Sequence, residues 1–168
     1  MKHTSKTNHA AVAYLLIGVS AAGQALLSAP AAPAPMEQLS LLALTLVGCL
    51  LLVRRSVAAL VCCCAQLGVL LVLCGTAVQA SAWEMPLYAL NHWLALGTAY
   101  LLLRTAGSYP RAMPLLAAGA LAVYTAVLLA HGPGRVYGLA FVVYAVAMLW
   151  FAVLMLRAYR AENSKASL

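Results

Sequence analysis

Six apolar runs, parted by short polar breaks, leave this 168-residue chain few ways to fold. They fall at about 10–28, 38–53, 57–78, 85–103, 113–130 and 136–156. Each approaches the ~20 residues that cross a hydrocarbon core about 30 Å thick. The second is the shortest. A soluble domain of this length has no interior large enough to hide them all, because small domains leave much of their surface in water. Charged residues make up only 8% of the chain, against about 25% in ordinary soluble domains. The bilayer is therefore the expected solvent. Without water to satisfy backbone groups the runs should be helices, and no period-two alternation points to a barrel.

The breaks carry turn chemistry. Residues 28–38, SAPAAPAPMEQ, hold three prolines and cannot be helical throughout. TAGSYPRAMP (105–114) and HGPGR (131–135) also read as loops. VRRSV (53–57) is so short that the runs beside it must form a tight helical hairpin.

Charge sets the expected orientation. With the runs alternating in direction, one side collects Lys2, Lys6, Arg54, Arg55, Arg104, Arg111, Arg157, Arg160 and Lys165. The other collects only Arg135, with Glu37 and Glu84. That distribution places both termini in the cytoplasm and requires an even number of spans. The expected fold is thus a single all-α integral membrane domain of six transmembrane helices. Short loops and the charge bias suggest a bacterial inner membrane. The first run has a second reading, as a signal peptide cleaved near SAAG (20–23). The net charge of +7 does not indicate nucleic acid, because the basic residues sit at the ends of runs rather than in a patch with aromatics. Their simplest partner is a bilayer with anionic headgroups. An acidic membrane-protein partner would meet the same cytoplasmic rim of Arg54, Arg55, Arg104, Arg111, Arg157 and Arg160.

Four of the five cysteines lie between Ala59 and Cys74. Consecutive helical residues point about 100° apart, so Cys62, Cys63 and Cys64 cannot converge on one metal. Cys49 lies at roughly the depth of Cys62 across the hairpin, in the half nearest the reducing cytoplasm. Cys74 has no evident partner at its depth. The expected role of all five is that of small buried hydrophobes, with no metal and no cofactor.

Polar residues inside the runs are better leads, since the membrane interior makes them costly. Glu84, Tyr88, Asn91, Ala95 and Thr98 share one helical face, and His92 adjoins Asn91. At comparable depth lie Gln24, Gln66, Tyr124 and Tyr144, with His131 above Tyr124. Gln24, Gln66, Asn91, His92, Tyr124 and Tyr144 form one candidate set, for an outward-facing polar pocket. The alternative is that each bonds a neighbouring helix as packing glue. The sixth run carries a stripe of large residues at Tyr137, Phe141, Tyr144, Met148, Phe151 and Met155. Core packing is its default reading; docking against a partner's helix is the other. Trp83, Tyr109 and Tyr159 read as interfacial anchors.

Two arginine-terminated runs, GCLLLVR (48–54) and GTAYLLLR (97–104), are each followed by a glycine, Gly68 and Gly119. Coincidence among Leu-rich helices ending in arginine explains this better than a repeat does.

No HExxH, GxSxG or P-loop pattern occurs, and the only acids are Glu37, Glu84 and Glu162 at run ends. No catalytic set is expected. Three classes rank in order: an accessory or assembly subunit of a larger membrane complex; a small-solute transporter or channel centred on Asn91 and His92; and, last, a membrane-embedded enzyme. The expected partner is another membrane protein; a homo-oligomer would instead count against the subunit class.

Overall fold

The computed structural model describes residues 8–28, 35–75, 82–106, 112–131 and 135–166. These form six helices and no strand: α1 (His9–Ser28), α2 (Pro35–Leu51), α3 (Val57–Leu73), α4 (Glu84–Thr105), α5 (Ala112–His131) and α6 (Arg135–Ala166). Arg111 and Tyr109 lie outside the described residues. So do the side chains of His131, Tyr137 and Phe141, whose backbones belong to α5 and α6.

The helix limits follow local chemistry. Asn8 caps α1, its Oδ1 accepting from the Ala11 amide at 3.3 Å. Pro35 opens α2, a position where its missing N–H costs nothing, and Glu37 follows in the first turn, facing the positive dipole end. Between α2 and α3 the chain turns on hydrogen bonds to Leu52 O from Arg55 N (2.8 Å) and Ser56 N (3.0 Å). Ser56 then caps α3 through its hydroxyl, which accepts from Ala59 N at 3.2 Å. Glu84 opens α4 and Arg104 closes it, each matched to the dipole at its end.

Six spans were expected; two helices are long and apolar enough to cross a membrane by themselves, α1 over His9–Leu26 and α6 over Val142–Lys165. The others fall short for physical reasons. The second and third runs stop being helical at Leu51 and Leu73, ahead of the expected ends at 53 and 78, leaving 17 residues each. At 1.5 Å per residue that is about 25 Å. The apolar part of α5 is Pro114–Val127. The 22-residue α4 is long enough but carries Glu84, Asn91 and His92. In the other direction α6 runs on to Ala166, ten residues beyond the expected end.

Each helix packs on its neighbours in sequence, and α1 closes the ring against α6, its most extensive interface. Small residues permit this approach: an added Cβ at Gly18 would touch Ala152 O of α6 at 3.4 Å. The approach of α2 to α1 is tighter still at Gly48. Inside the ring lie Tyr14, Ile17, Leu42, Leu70, Leu102, Leu121 and Met155, each almost fully buried. Gly68 and Gly119 face open space, so neither glycine of the apparent repeat marks a close helix contact.

The sixth-run stripe is part of this interior. Met148, Phe151 and Met155 are 4%, 3% and 0% exposed, so they are not available as a docking face for a partner. They are held there because α1 lies across α6 on that side. Of the cysteines, Cys63 rather than Cys62 is the one placed beside Cys49 across the α2–α3 hairpin, and both are fully buried. Cys74, expected to stand alone, contacts Met36 Sδ at 3.7 Å. All five thiols are free.

One end of the ring is fastened by a polar clasp. Arg55, in the α2–α3 turn, reaches Glu162 near the end of α6 through two bonds of 3.2 and 3.5 Å. It also donates to Tyr14 OH (3.5 Å), which sits 3.4 Å from Thr105 Oγ1 at the end of α4. Asn8 Nδ2 donates to Glu162 O at 2.7 Å. The start of α1, the α2–α3 turn and the ends of α4 and α6 therefore share one end of the fold. Arg55 is 43% exposed, so screening limits the ion pair to about 1 kcal/mol or less. Glu162→Gln is expected to lower the thermal midpoint by a few degrees at low salt. That deficit should shrink in 1 M salt; a deficit indifferent to salt would refute an ionic role.

Candidate functional site

The candidate polar residues converge from separate helices. Gln24 of α1, Gln66 of α3, Asn91 and His92 of α4 and Tyr144 of α6 line one cavity, together with Gln38 of α2. Tyr124 of α5 is not in its wall but backs it: its ring centroid lies 5.1 Å from that of His92. All six helices thus contribute.

The α4 face explains the placement. Asn91, Ala95 and Thr98 are buried at 4-3 spacing, while Glu84 and Tyr88 of the same face are half-buried toward the end of the bundle. His92 sits between two rings, Tyr124 tilted at 55° and Tyr144 edge-on at 77° with centroids 5.4 Å apart. Its Nδ1 lies 2.7 Å from Tyr88 O. A carbonyl can only accept, so Nδ1 carries the proton, and Nε2 of the neutral ring is an acceptor.

Asn91 is 2% exposed. Its Nδ2 donates to Gln38 Oε1 at 2.8 Å, while its Oδ1, fully enclosed, meets no protein donor. Gln38 is 8% exposed and was not among the sequence candidates. Its signal was there: Gln38, Leu42, Thr45, Cys49 and Leu52 repeat at 4-3-4-3 and form the buried face of α2. Thr45 and Ser20 were missed in the same way. Thr45 Oγ1 donates to Ser20 Oγ at 2.7 Å, and Ser20 Oγ donates to Leu41 O at 2.6 Å, pinning α1 to α2. This pair is packing glue in the sense expected of membrane helices.

A second cavity adjoins the first and shares Gln24, Gln66, Ala95 and Met148 with it. It runs past Thr45 and Thr98 and ends on Leu102 and Phe151. Each is about 20 Å³. One water-sized sphere needs about 10–15 Å³. Beyond Leu102 and Phe151 come buried Leu103 and Met155, and then the clasp at Tyr14 and Arg55. The two small cavities have walls of mixed polar and apolar side chains, and the second is floored by an apolar plug. Among the described residues, no Asp, Glu, Lys or Arg lines either cavity.

The remaining candidates lie elsewhere. Arg54, Arg55, Arg104, Arg157 and Arg160 are all exposed. Among the described residues no group of three His, Cys, Asp or Glu side chains is placed to hold a metal ion. No family model, curated protein or solved structure matches the chain.

Proposed function

We propose that the chain is a six-span integral membrane protein, with both termini in the cytoplasm, that passes a small neutral polar solute through the bundle interior. The observation that carries this reading is Asn91, buried at the cavity with its amide oxygen unpaired. A buried acceptor without a donor costs about 1–3 kcal/mol and is seldom kept without use. Two further features support the reading. Large apolar side chains are exposed on the outer faces of the helices, among them Val19, Val61, Leu71, Leu115 and Val146, as a lipid-facing surface requires. Basic residues divide nine to one between the ends of the runs, which suits a bacterial inner membrane with anionic headgroups. Helices as short as α2 and α3 are accommodated by local thinning of the bilayer.

The test is flux into liposomes carrying purified protein, over a series of small neutral solutes. Asn91→Leu and His92→Ala are expected to cut the flux at least tenfold while leaving the protein folded. Flux equal to protein-free liposomes for every solute would end the transport reading.

A second reading, an accessory subunit, draws on one observation. An apolar groove of about 500 Å³ runs between α4 and α5, walled by Trp93, Gly97, Tyr100 and Leu115. With Met148, Phe151 and Met155 buried, this groove replaces the α6 stripe as the place for a partner helix. Native-gel sizing after gentle solubilisation decides it: a stoichiometric partner supports a subunit, and a lone monomer excludes it.

A further inference from the structure

The groove between α4 and α5 carries a further argument. On α4 it is lined by Trp93, Gly97 and Tyr100, and on α5 by Pro114, Leu115 and Ala118. Gly97 keeps it deep: a Cβ there would meet nothing nearer than Cys62 Sγ at 4.0 Å. At one end the Trp93 indole donates to Thr125 Oγ1 of α5 at 3.0 Å and joins the two helices. The other end, at Tyr100 and Pro114, lies near the last turn of α4 and the first turn of α5. Trp93, Gly97, Tyr100 and Arg104 follow at 4-3-4 spacing, so the stripe that lines the groove runs on to a guanidinium. Arg104 is exposed. Its neighbour Thr105 meets Tyr14 of the clasp, which places Arg104 at the basic end of the bundle. The chain has three acids to answer it. Glu37 and Glu84 open α2 and α4 at the opposite end, and Glu84 is about 30 Å of helix away. Glu162, at the near end, is shared by Arg55 and Lys165. Among the described residues no carboxylate meets Arg104, and the α4 dipole supplies only a partial charge.

Length and charge select the occupant. From Arg104 back to Trp93 the helix covers about 16 Å. One leaflet of the hydrocarbon core is about 15 Å deep. An acyl chain hanging from a headgroup at Arg104 therefore ends where Trp93 and Thr125 close the groove. A partner's spanning helix needs about 30 Å and would overrun it. A zwitterionic headgroup brings its own cation and answers Arg104 less well than one of net negative charge. We infer that the groove is a site for an anionic phospholipid of the cytoplasmic leaflet, its phosphate on Arg104 and one acyl chain laid along Gly97 between α4 and α5. Basic pockets between membrane helices on the cytoplasmic side hold anionic headgroups in the same manner. The inference rests on the membrane reading and its orientation, and is independent of transport.

The experiment reads Trp93 in the full chain, with Trp83→Phe and Trp150→Phe leaving it as the one indole. The protein is reconstituted in vesicles of phosphatidylcholine and phosphatidylglycerol in equal parts, with brominated chains on one lipid or on the other. Bromine quenches an indole only on close contact. The expected result is stronger quenching of Trp93 by the brominated anionic lipid, with a preference of about fivefold, the weight of one arginine at a charged membrane surface. Arg104→Gln should abolish the preference and Arg104→Lys should keep it. Gly97→Leu, which fills the groove without a clash at Cβ, should bring the anionic lipid down to the level of the zwitterionic one. Equal quenching by the two lipids with Arg104 and Gly97 intact overturns the site, because ordinary lipid contact then accounts for the groove. Absence of quenching by either lipid overturns it too, and shows that a partner helix or a second copy covers the groove. A preference that survives Arg104→Gln overturns the placement of the headgroup. Protein that does not float with the vesicles refutes the membrane reading itself, and this inference with it.

Discussion

Gly48→Val is expected to abolish the fold, and Gly68→Ala to strengthen it. The two glycines occupy similar helical backbone but opposite surroundings. A Cβ at Gly48 would lie 2.6 Å from Ile17 Cγ1, 2.9 Å from Ile17 Cδ1 and 3.1 Å from the Ala13 carbonyl oxygen. Ile17 is itself buried and cannot swing away without opening the core, and the Ala13 oxygen is backbone. Even one methyl group must push α1 from α2; a branched side chain must separate them. Overpacking of this kind costs about 1–3 kcal/mol when the backbone can yield, and more when it cannot. Separation here also breaks the Thr45–Ser20 and Ser20–Leu41 bonds, which cross the same interface. At Gly68 an added Cβ meets nothing within 4 Å, so the substitution leaves only the helix-propensity gain of about 0.5–1 kcal/mol. Thermal unfolding in detergent, read by the loss of monomeric protein on size exclusion, separates the two. A folded, wild-type-like Gly48→Val protein would show that α1 and α2 do not pack as described.

Phe151→Ala is expected to destabilise the isolated monomer by about 2–3 kcal/mol. Phe151 is 3% exposed and floors the second cavity, beside Ala152 and Met155. Truncation leaves a void next to an existing one. In a bilayer the cost would fall below that of a soluble core, because lipid solvates an aromatic ring and what is lost is packing rather than transfer from water. A docking residue would behave in the opposite way, leaving monomer stability unchanged and weakening assembly. Thermal midpoints of the wild-type and variant monomers therefore tell interior from interface.

Much of the helical plan was readable from apolar length, because a run near 20 residues bounded by Pro, Gly or Arg has few alternatives. The places where reading failed share a cause. Leu73 ends α3 within a continuing apolar run, and hydropathy carries no mark where a helix stops among greasy residues. Beyond residue 156 the sequence turns polar, which ends a span but does not end a helix; α6 continues because Arg157, Ala158, Arg160, Ala161 and Glu162 all favour helix. The candidate pocket residues stood out where polar groups interrupt an apolar run, as Gln66 does singly and Asn91 does with His92. Gln38 stood at the edge of its run and passed for a boundary residue, although it is the hydrogen-bond partner of Asn91. Tyr124 was placed by depth, but depth does not say whether a ring lines a cavity or supports the residue that does. For the thiols, depth counting missed by one residue: it paired Cys49 with Cys62, whereas Cys63 points across the hairpin.

The closure of the ring by α1 against α6 has a consequence for how the protein is made. α1 is made before α6, yet the two share the largest interface in the fold. Until residue 135 and those after it are made, the face of α1 around Gly18 has no α6 against it, and Asn8 has no Glu162 to bind. Four intervening helices must be in place before the seam can shut. A chain that stops ahead of α6 leaves the α1 face around Gly18 without the helix that covers it, so the largest seam of the fold is also the one formed between elements farthest apart in sequence.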